Sequence, residues 1–203
     1  ATTEIYTLSL PRRSSDLPKR ARGEGGGATE SRYSDQELFN VKPVKVDAGD
    51  PVQKVKDLRE YFHKTYDLYN NIFKCANGDE AFFIQPVHKL RHPLMWYAFH
   101  TATFYINKLC VAGLTTRINP KFEEAYAIGV DEMSWDDLNT EHYDWPTVQE
   151  LWDYREAVRN QVDDLITSGK YTLKMPLTLA NSGDNQSNTF FLALPMGIEH
   201  ERT

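Results

Sequence analysis

The 203-residue sequence predicts an all-α protein built around four helices. Four segments repeat apolar side chains at helical spacing, and two of these segments begin at residues that favour a helix N-terminus. Two long polar connections separate the helical segments. Helices joined in this way pack side by side, so we expect a four-helix bundle with long crossover loops.

The first helix is predicted from about residue 51 to residue 75. Asp50 is a favoured N-cap residue, and Pro51 suits the first helical position because the N–H that it lacks is not needed there. His63 lies beside the apolar stripe, so we expect it to be half-exposed at the surface. The stripe consists of Val52, Val55, Leu58, Phe62, Tyr69, Ile72 and Phe73.

The second helix is predicted from about residue 93 to residue 113, and it is apolar on most sides, which predicts a central position. His100 lies on a face of this helix that is otherwise aromatic. It is either a core histidine bonded to a backbone carbonyl or a ligand. Cys110 lies in the apolar part of the same helix, where a small core residue is expected rather than a nucleophile.

A long connection over residues 114–146 follows the second helix. Compact domains rarely keep such an insert unless it has a use. Its 129–138 stretch places four carboxylates beside Met133 and Trp135, which is not the composition of a solvated linker. The alternative is a loop packed over one end of the bundle, and His142 is expected to be a loop residue.

The third and fourth helices are predicted from local signals as well as from periodicity. Thr147 and Glu150 form a capping box at the start of the third helix, and Gly169 suits the position just after its end. Residues 170–188 are polar. A fourth helical pattern begins near Asn188, and Pro195 within it should kink or delay the helix.

His100 and His200 are the candidate metal ligands. A histidine inside an apolar helical run is costly without a partner, and two of them on helices that pack together suggest a shared ligand. One turn after His200 lies position 204, beyond the last residue, Thr203. An H-x-x-x-H pair gives a metal two imidazoles, so we expect the third histidine at position 204. Three imidazoles suit Fe(II) or zinc.

Composition excludes other classes of protein. The net charge of −6 argues against nucleic-acid binding, and no apolar run of about 18 residues predicts a membrane span. Two cysteines without C-x-x-C spacing fit the reducing cytoplasm, where we expect the protein. The glycine-rich residues 1–35 are expected to be a disordered tail or a sequence-assembly artefact, which leaves residues 36–203 as the folded domain.

Five motifs in order resemble the 5-histidylcysteine sulfoxide synthases of ovothiol biosynthesis, and this resemblance spans roughly residues 36–203. The Gly129 to Leu138 motif separates this family from the related ergothioneine sulfoxide synthases. Pro195 and residues 180–188 differ from the family pattern. The motifs are RHPL (91–94), FHTATFYINKL (99–109), GVDEMSWDDL (129–138), YDWPTV (143–148) and MGIEHER (196–202).

The resemblance implies a DinB-like four-helix bundle, incomplete at its C-terminus. A formylglycine-generating-enzyme-like domain, absent here, would follow it in the full family. It also implies Fe(II) held by His100, His200 and the histidine expected at 204. The family couples cysteine to the histidine imidazole with O₂, so this chain would be part of an iron oxidoreductase and inactive alone.

Two alternatives remain open at this point. One is a DinB-like metal-dependent thiol transferase or hydrolase, which would use the same histidines with zinc or nickel and would not need the 129–138 motif. The other is a non-catalytic helical fragment that binds no metal. Metal analysis would distinguish the three.

Overall fold

A computed structural model of the chain describes residues 30–88, 91–127 and 144–203. These residues form α-helices and short 3₁₀ helices without any strand, which confirms the predicted all-α class. Most of the expected tail (1–29), the 129–138 motif and His142 lie outside the described residues. The α-helices are α1 (Asp35–Phe39), α2 (Pro51–Phe73), α3 (Leu94–Val111), α4 (Pro120–Ala125), α5 (Val148–Thr167) and α6 (Gln186–Arg202), with 3₁₀ helices at Asp79–Phe83 and Leu179–Asn181.

The ends of α2 and α5 follow the cap signals in the sequence. The Asp50 carboxylate accepts a hydrogen bond from the Gln53 N–H at 2.9 Å, and Pro51 is the first residue of α2. Thr147 and Glu150 form the predicted capping box at the start of α5. Gly169 has a φ of 69° just after that helix, a conformation that favours glycine.

The four long helices share one hydrophobic core. α3 packs against α5 and α6, and α2 packs against the same two helices. The predicted central position of α3 is confirmed, since much of this helix is fully buried. Its buried apolar residues are Met95, Trp96, Ala98, Phe99, Ala102, Tyr105, Ile106 and Leu109.

Two arginines of α5 form ion pairs inside this core. Arg155 donates to Glu201 of α6, and Arg159 donates to Asp67 of α2, each at 2.6 Å. A charge buried away from water is retained only with a partner and further hydrogen bonds. These pairs therefore fix the positions of α2 and α6 relative to α5.

Contacts with the helical core begin before the expected domain boundary at residue 36. The Arg32 backbone N–H donates to the Asp67 carboxylate at 2.8 Å, and the Ser31 hydroxyl donates to the same oxygen at 3.4 Å. Asp67 thus connects the segment before α1 to the Arg159 ion pair. The chain joins the core a few residues earlier than composition indicated.

The prediction for His63 is wrong, because this side chain is only 4% exposed. Its Nδ1 accepts a hydrogen bond from Arg159 Nε–H at 3.1 Å, so its Nε2–H donates to Asp163 Oδ1 at 2.9 Å. Both partners belong to α5, and the periodicity of α2 carries no information about them.

Pro195 was expected to kink or delay the fourth helix, and the structure shows no delay. α6 begins at Gln186, slightly before the predicted start, and continues through Pro195 to Arg202. Among the described helices, none is both long enough and apolar enough to cross a membrane.

Candidate metal centre

The structure brings the two candidate ligands together across the α3–α6 interface. The ring centroids of His100 and His200 are 5.0 Å apart, with the ring planes tilted by 56°. The two residues are a hundred positions apart in the chain. Their proximity therefore depends on the packing of α6 against α3.

His100 is oriented by its own hydrogen bond. Its Nδ1–H donates to the Tyr126 carbonyl oxygen at 2.8 Å, which leaves the lone pair on Nε2. Metal-binding histidines commonly use one ring nitrogen in this way. The core-histidine interpretation thus accounts for one nitrogen of His100 and leaves the other available. Burial lowers the pKa of His100, which favours the neutral ring.

The short helix α4 places the carbonyl that His100 uses. Tyr126 is the C-cap residue of α4, and its ring stacks on Phe99 with centroids 4.5 Å apart. The Thr103 hydroxyl donates to the same carbonyl at 3.2 Å. Asn107, which shares a face of α3 with His100, donates to the Glu123 carbonyl at 2.8 Å. These contacts hold α4 against α3.

His200 is held by stacking rather than by a hydrogen bond. Its ring lies on Phe104, with centroids 3.9 Å apart and planes 7° apart. Its Nδ1 is buried and has no hydrogen-bond partner among the described residues. Burial, with smaller contributions from His100 and Lys108, lowers the pKa of His200 to about 4. The ring is therefore neutral at pH 7, and both imidazoles can offer lone pairs to a cation.

Aromatic rings form one side of the site. Trp96 stacks between His92 and His100, with centroids 4.3 and 4.4 Å away. His92 therefore lies across Trp96 from His100 and does not join the pair. Within α3, residues 96, 100 and 104 recur at intervals of four, which is the helical spacing that places side chains on one face. That spacing could have indicated Trp96 and Phe104 from the sequence.

The two histidine rings lie close enough to be ligands of one metal ion. A transition metal bonds an imidazole nitrogen at about 2.1 Å, so rings that share one metal must lie close together, as these do at 5.0 Å. Within residues 30–88, 91–127 and 144–203, no group of three or more His, Cys, Asp or Glu side chains is arranged to hold a metal. The described part of the chain supplies a pair of imidazoles.

Sequence reasoning did not identify the residues that support His200. The neighbouring Glu201 is 3% exposed, and its carboxylate accepts hydrogen bonds from Arg155 and from the Tyr105 hydroxyl. Arg155 lies among the many charged residues of α5, and the sequence does not distinguish it from those that face solvent. Its position inside the core follows from the packing of α5 alone.

Comparison of the chain with models of known protein families finds no match, and comparison with curated protein sequences finds no significant match. The resemblance described above therefore depends on the motifs themselves. The function that follows is inferred from these motifs and from the geometry of the two histidines.

Proposed function

We propose that this chain is the N-terminal, metal-binding part of a non-haem iron sulfoxide synthase that couples cysteine to histidine with O₂. The observation that carries the proposal is the pair of neutral imidazoles, His100 and His200, whose centroids are 5.0 Å apart. The His200 Nδ1 is buried without a partner, and an unsatisfied buried polar atom costs roughly 1–3 kcal/mol. A metal bound at this nitrogen would remove that cost by accepting its lone pair.

In this proposal His100 binds the metal through Nε2, since its Nδ1–H is donated to Tyr126. His200 is the second ligand, and the resemblance puts a third histidine at position 204 of a longer protein. Bound Fe(II) would supply the redox chemistry between the thiol and O₂. The overall reaction balances when the thiol S–H and the imidazole C–H react with one O₂ to give a sulfoxide and one water.

The fold proposed for this role is the DinB-like four-helix bundle that the resemblance implies. The observed pairing, in which α2 and α3 each contact both α5 and α6, supports it. In such bundles, metal sites are formed by side chains on facing helices. His100 on α3 and His200 on α6 meet that description.

The same imidazole pair also favours a second candidate, a DinB-like thiol transferase or hydrolase with zinc or nickel. Neutral imidazole suits zinc, nickel and iron, so the ligands do not decide between the two chemistries. The metal bound by protein produced in iron-sufficient cells distinguishes them. The second candidate predicts zinc or nickel and no O₂-dependent product.

Metal binding by this chain tests the proposal directly. Anaerobic titration with Fe(II), or with Co(II) as a spectroscopic probe, should show one weak site. That site should be lost in His100→Ala and in His200→Ala. His88→Ala is the matched control, because His88 is exposed and lies in a loop outside the candidate site. Unchanged binding in both site variants would refute the metal centre.

Activity should be measured in a protein that carries the segment after residue 203. With cysteine, histidine, Fe(II) and O₂, mass spectrometry should detect a product heavier than the two amino acids together by one oxygen and lighter by two hydrogens. His100→Ala should abolish this product. Full iron loading and turnover in His100→Ala would instead identify His100 as a core histidine.

A further inference from the structure

The last turn of α6 is anchored through the residue beside His200. Glu201 is buried, and its two carboxylate oxygens have separate donors. Oε1 accepts from Arg155 Nη2–H at 2.6 Å, and Oε2 accepts from the Tyr105 hydroxyl at 3.0 Å. Glu201 is therefore bonded to α5 and α3 at once.

The donor Arg155 is itself fixed in the core. Its Nε–H donates to Asn70 of α2 at 2.7 Å, and its Nη1–H donates to the Ala98 carbonyl of α3 at 2.8 Å and to the Thr101 hydroxyl at 3.0 Å. The guanidinium group thus contacts α2, α3 and α6 from its position on α5. Such a group holds Glu201 to a single location.

His200 has no comparable restraint of its own. Its Nδ1 has no hydrogen-bond partner among the described residues, and its ring packs against Phe104 and His100. Consecutive residues on an α-helix are rotated by about 100° around the axis. Fixing Glu201 therefore sets the direction in which His200 leaves the helix.

We propose that Glu201, held by Arg155 and Tyr105, is a positioning residue that turns His200 toward His100 for metal binding. This inference rests on the proposed metal centre. Removing a hydrogen bond made directly to a metal-binding imidazole costs about 10–100-fold in metal affinity, and the loss of an indirect support such as Glu201 should lie at the low end of that range. Glu201 itself does not contact the metal.

The chain offers a matched control for this role. Asp67 is also a buried carboxylate, it pairs with another arginine of α5 at the same 2.6 Å, and it accepts a further N–H bond. It lies on α2, away from both histidines. Glu201→Ala and Asp67→Ala each leave a buried arginine without its charge partner, so both should lower the melting temperature.

The test is the dissociation constant for Co(II) alone, from visible absorption of the full 203-residue chain. Glu201→Ala should weaken binding by about 10-fold or more, while Asp67→Ala changes it less than about 2-fold. Glu201→Gln keeps acceptor and donor atoms for Arg155 and Tyr105, so it should restore most of the affinity. Equal weakening in Glu201→Ala and Asp67→Ala would show a merely structural role and overturn the inference.

Tyr105→Phe provides a milder variant should Glu201→Ala fail to fold. It removes one hydrogen bond to Glu201 and keeps the ion pair with Arg155. We expect Co(II) binding weaker than in the wild type but tighter than in Glu201→Ala, with a changed visible spectrum, because His200 gains freedom. An unchanged affinity and spectrum would overturn the positioning role. Absence of binding by the wild-type chain would instead overturn the proposed function, and the positioning role with it.

Discussion

The backbone of Gly197 in α6 lies directly against the ring of Tyr105 in α3, so closely that a Cβ at this position would overlap the ring. Gly197 is one turn before Glu201, whose carboxylate accepts a hydrogen bond from the same tyrosine. The close approach of the two helices and the anchoring of the last turn of α6 therefore depend on one side chain, Tyr105. A glycine is required here by space.

Gly197→Ala should destabilise the chain despite the better helix propensity of alanine. Alanine gains about 1 kcal/mol over glycine in a helix, whereas overpacking a core contact costs about 1–3 kcal/mol. We expect a net loss of up to about 2 kcal/mol in urea unfolding. Gly183→Ala is the control, because a Cβ there meets open space and the change should stay within about 0.5 kcal/mol. A stabilised Gly197→Ala would mean that α6 does not approach α3 this closely.

Local signals in the sequence predicted the helix ends well, and pairwise contacts poorly. Asp50 and Thr147 cap their helices through residues three positions away, so the sequence contains both partners at a recognisable spacing. His63 was misplaced because its partners, Arg159 and Asp163, lie about a hundred residues further along the chain. Tertiary packing decides which residues distant in the chain meet, and the periodicity within one helix does not encode it.

In the candidate site, too, the sequence indicated individual residues but not their long-range contacts. His100 and His200 stood out because each is polar within an apolar helical run. Their supports did not stand out: Arg155 and Glu201 are ordinary charged residues on helices with many others, and only the fold shows that both are buried. The contact of Gly197 with Tyr105 could not be predicted either, since a glycine within a helical pattern does not show which ring lies against it.

His63→Ala should destabilise the chain, in contrast to the small effect expected of a surface histidine. The substitution removes the acceptor for Arg159 Nε–H and a donor to Asp163. Leaving buried polar groups unsatisfied costs about 1–3 kcal/mol each, so we expect a loss of about 2–3 kcal/mol in chemical denaturation. Lys56→Ala, at an exposed position of the same helix, should change stability by less than about 0.5 kcal/mol. Equal effects of the two variants would place His63 at the surface after all.

Asp163 should make stability sensitive to acid. Hydrogen bonds from Arg59 and His63 lower the pKa of this carboxyl to about 2, from an ordinary value of 3.8. As the pH falls, Asp163 therefore becomes protonated in the unfolded chain before it does in the folded chain. The stabilisation is complete above about pH 4 and is lost as the pH falls toward 2. For this partly exposed group it amounts to about 1–2 kcal/mol.

Asp163→Asn should consequently be less stable than the wild type by about 1–2 kcal/mol at pH 7, and this gap should narrow between about pH 4 and pH 3. Urea unfolding at a series of pH values measures the gap. Asp164→Asn, at the exposed neighbouring position, should not show the loss of stability at pH 7. A gap that stays constant down to pH 3 would contradict the lowered pKa.

His200→Phe should separate the effect of this side chain on folding stability from its effect on metal binding. Phenylalanine can stack on Phe104 as His200 does, and it removes the buried Nδ1 that has no partner among the described residues. We expect the metal-free variant to be as stable as the wild type or more stable by about 1 kcal/mol, because an unsatisfied buried atom is gone. Metal binding should be lost at the same time.

His100→Phe is the informative comparison for that variant. His100 donates to the Tyr126 carbonyl, so the same substitution there removes a satisfied hydrogen bond and should lower stability by about 1 kcal/mol or more. Unfolding in urea with a chelator present, together with Co(II) titration, gives both quantities for each variant. A His200→Phe chain that is clearly less stable than the wild type would mean that His200 serves the fold rather than a metal. Gain of stability with loss of Co(II) binding is the pattern expected of a ligand retained for function.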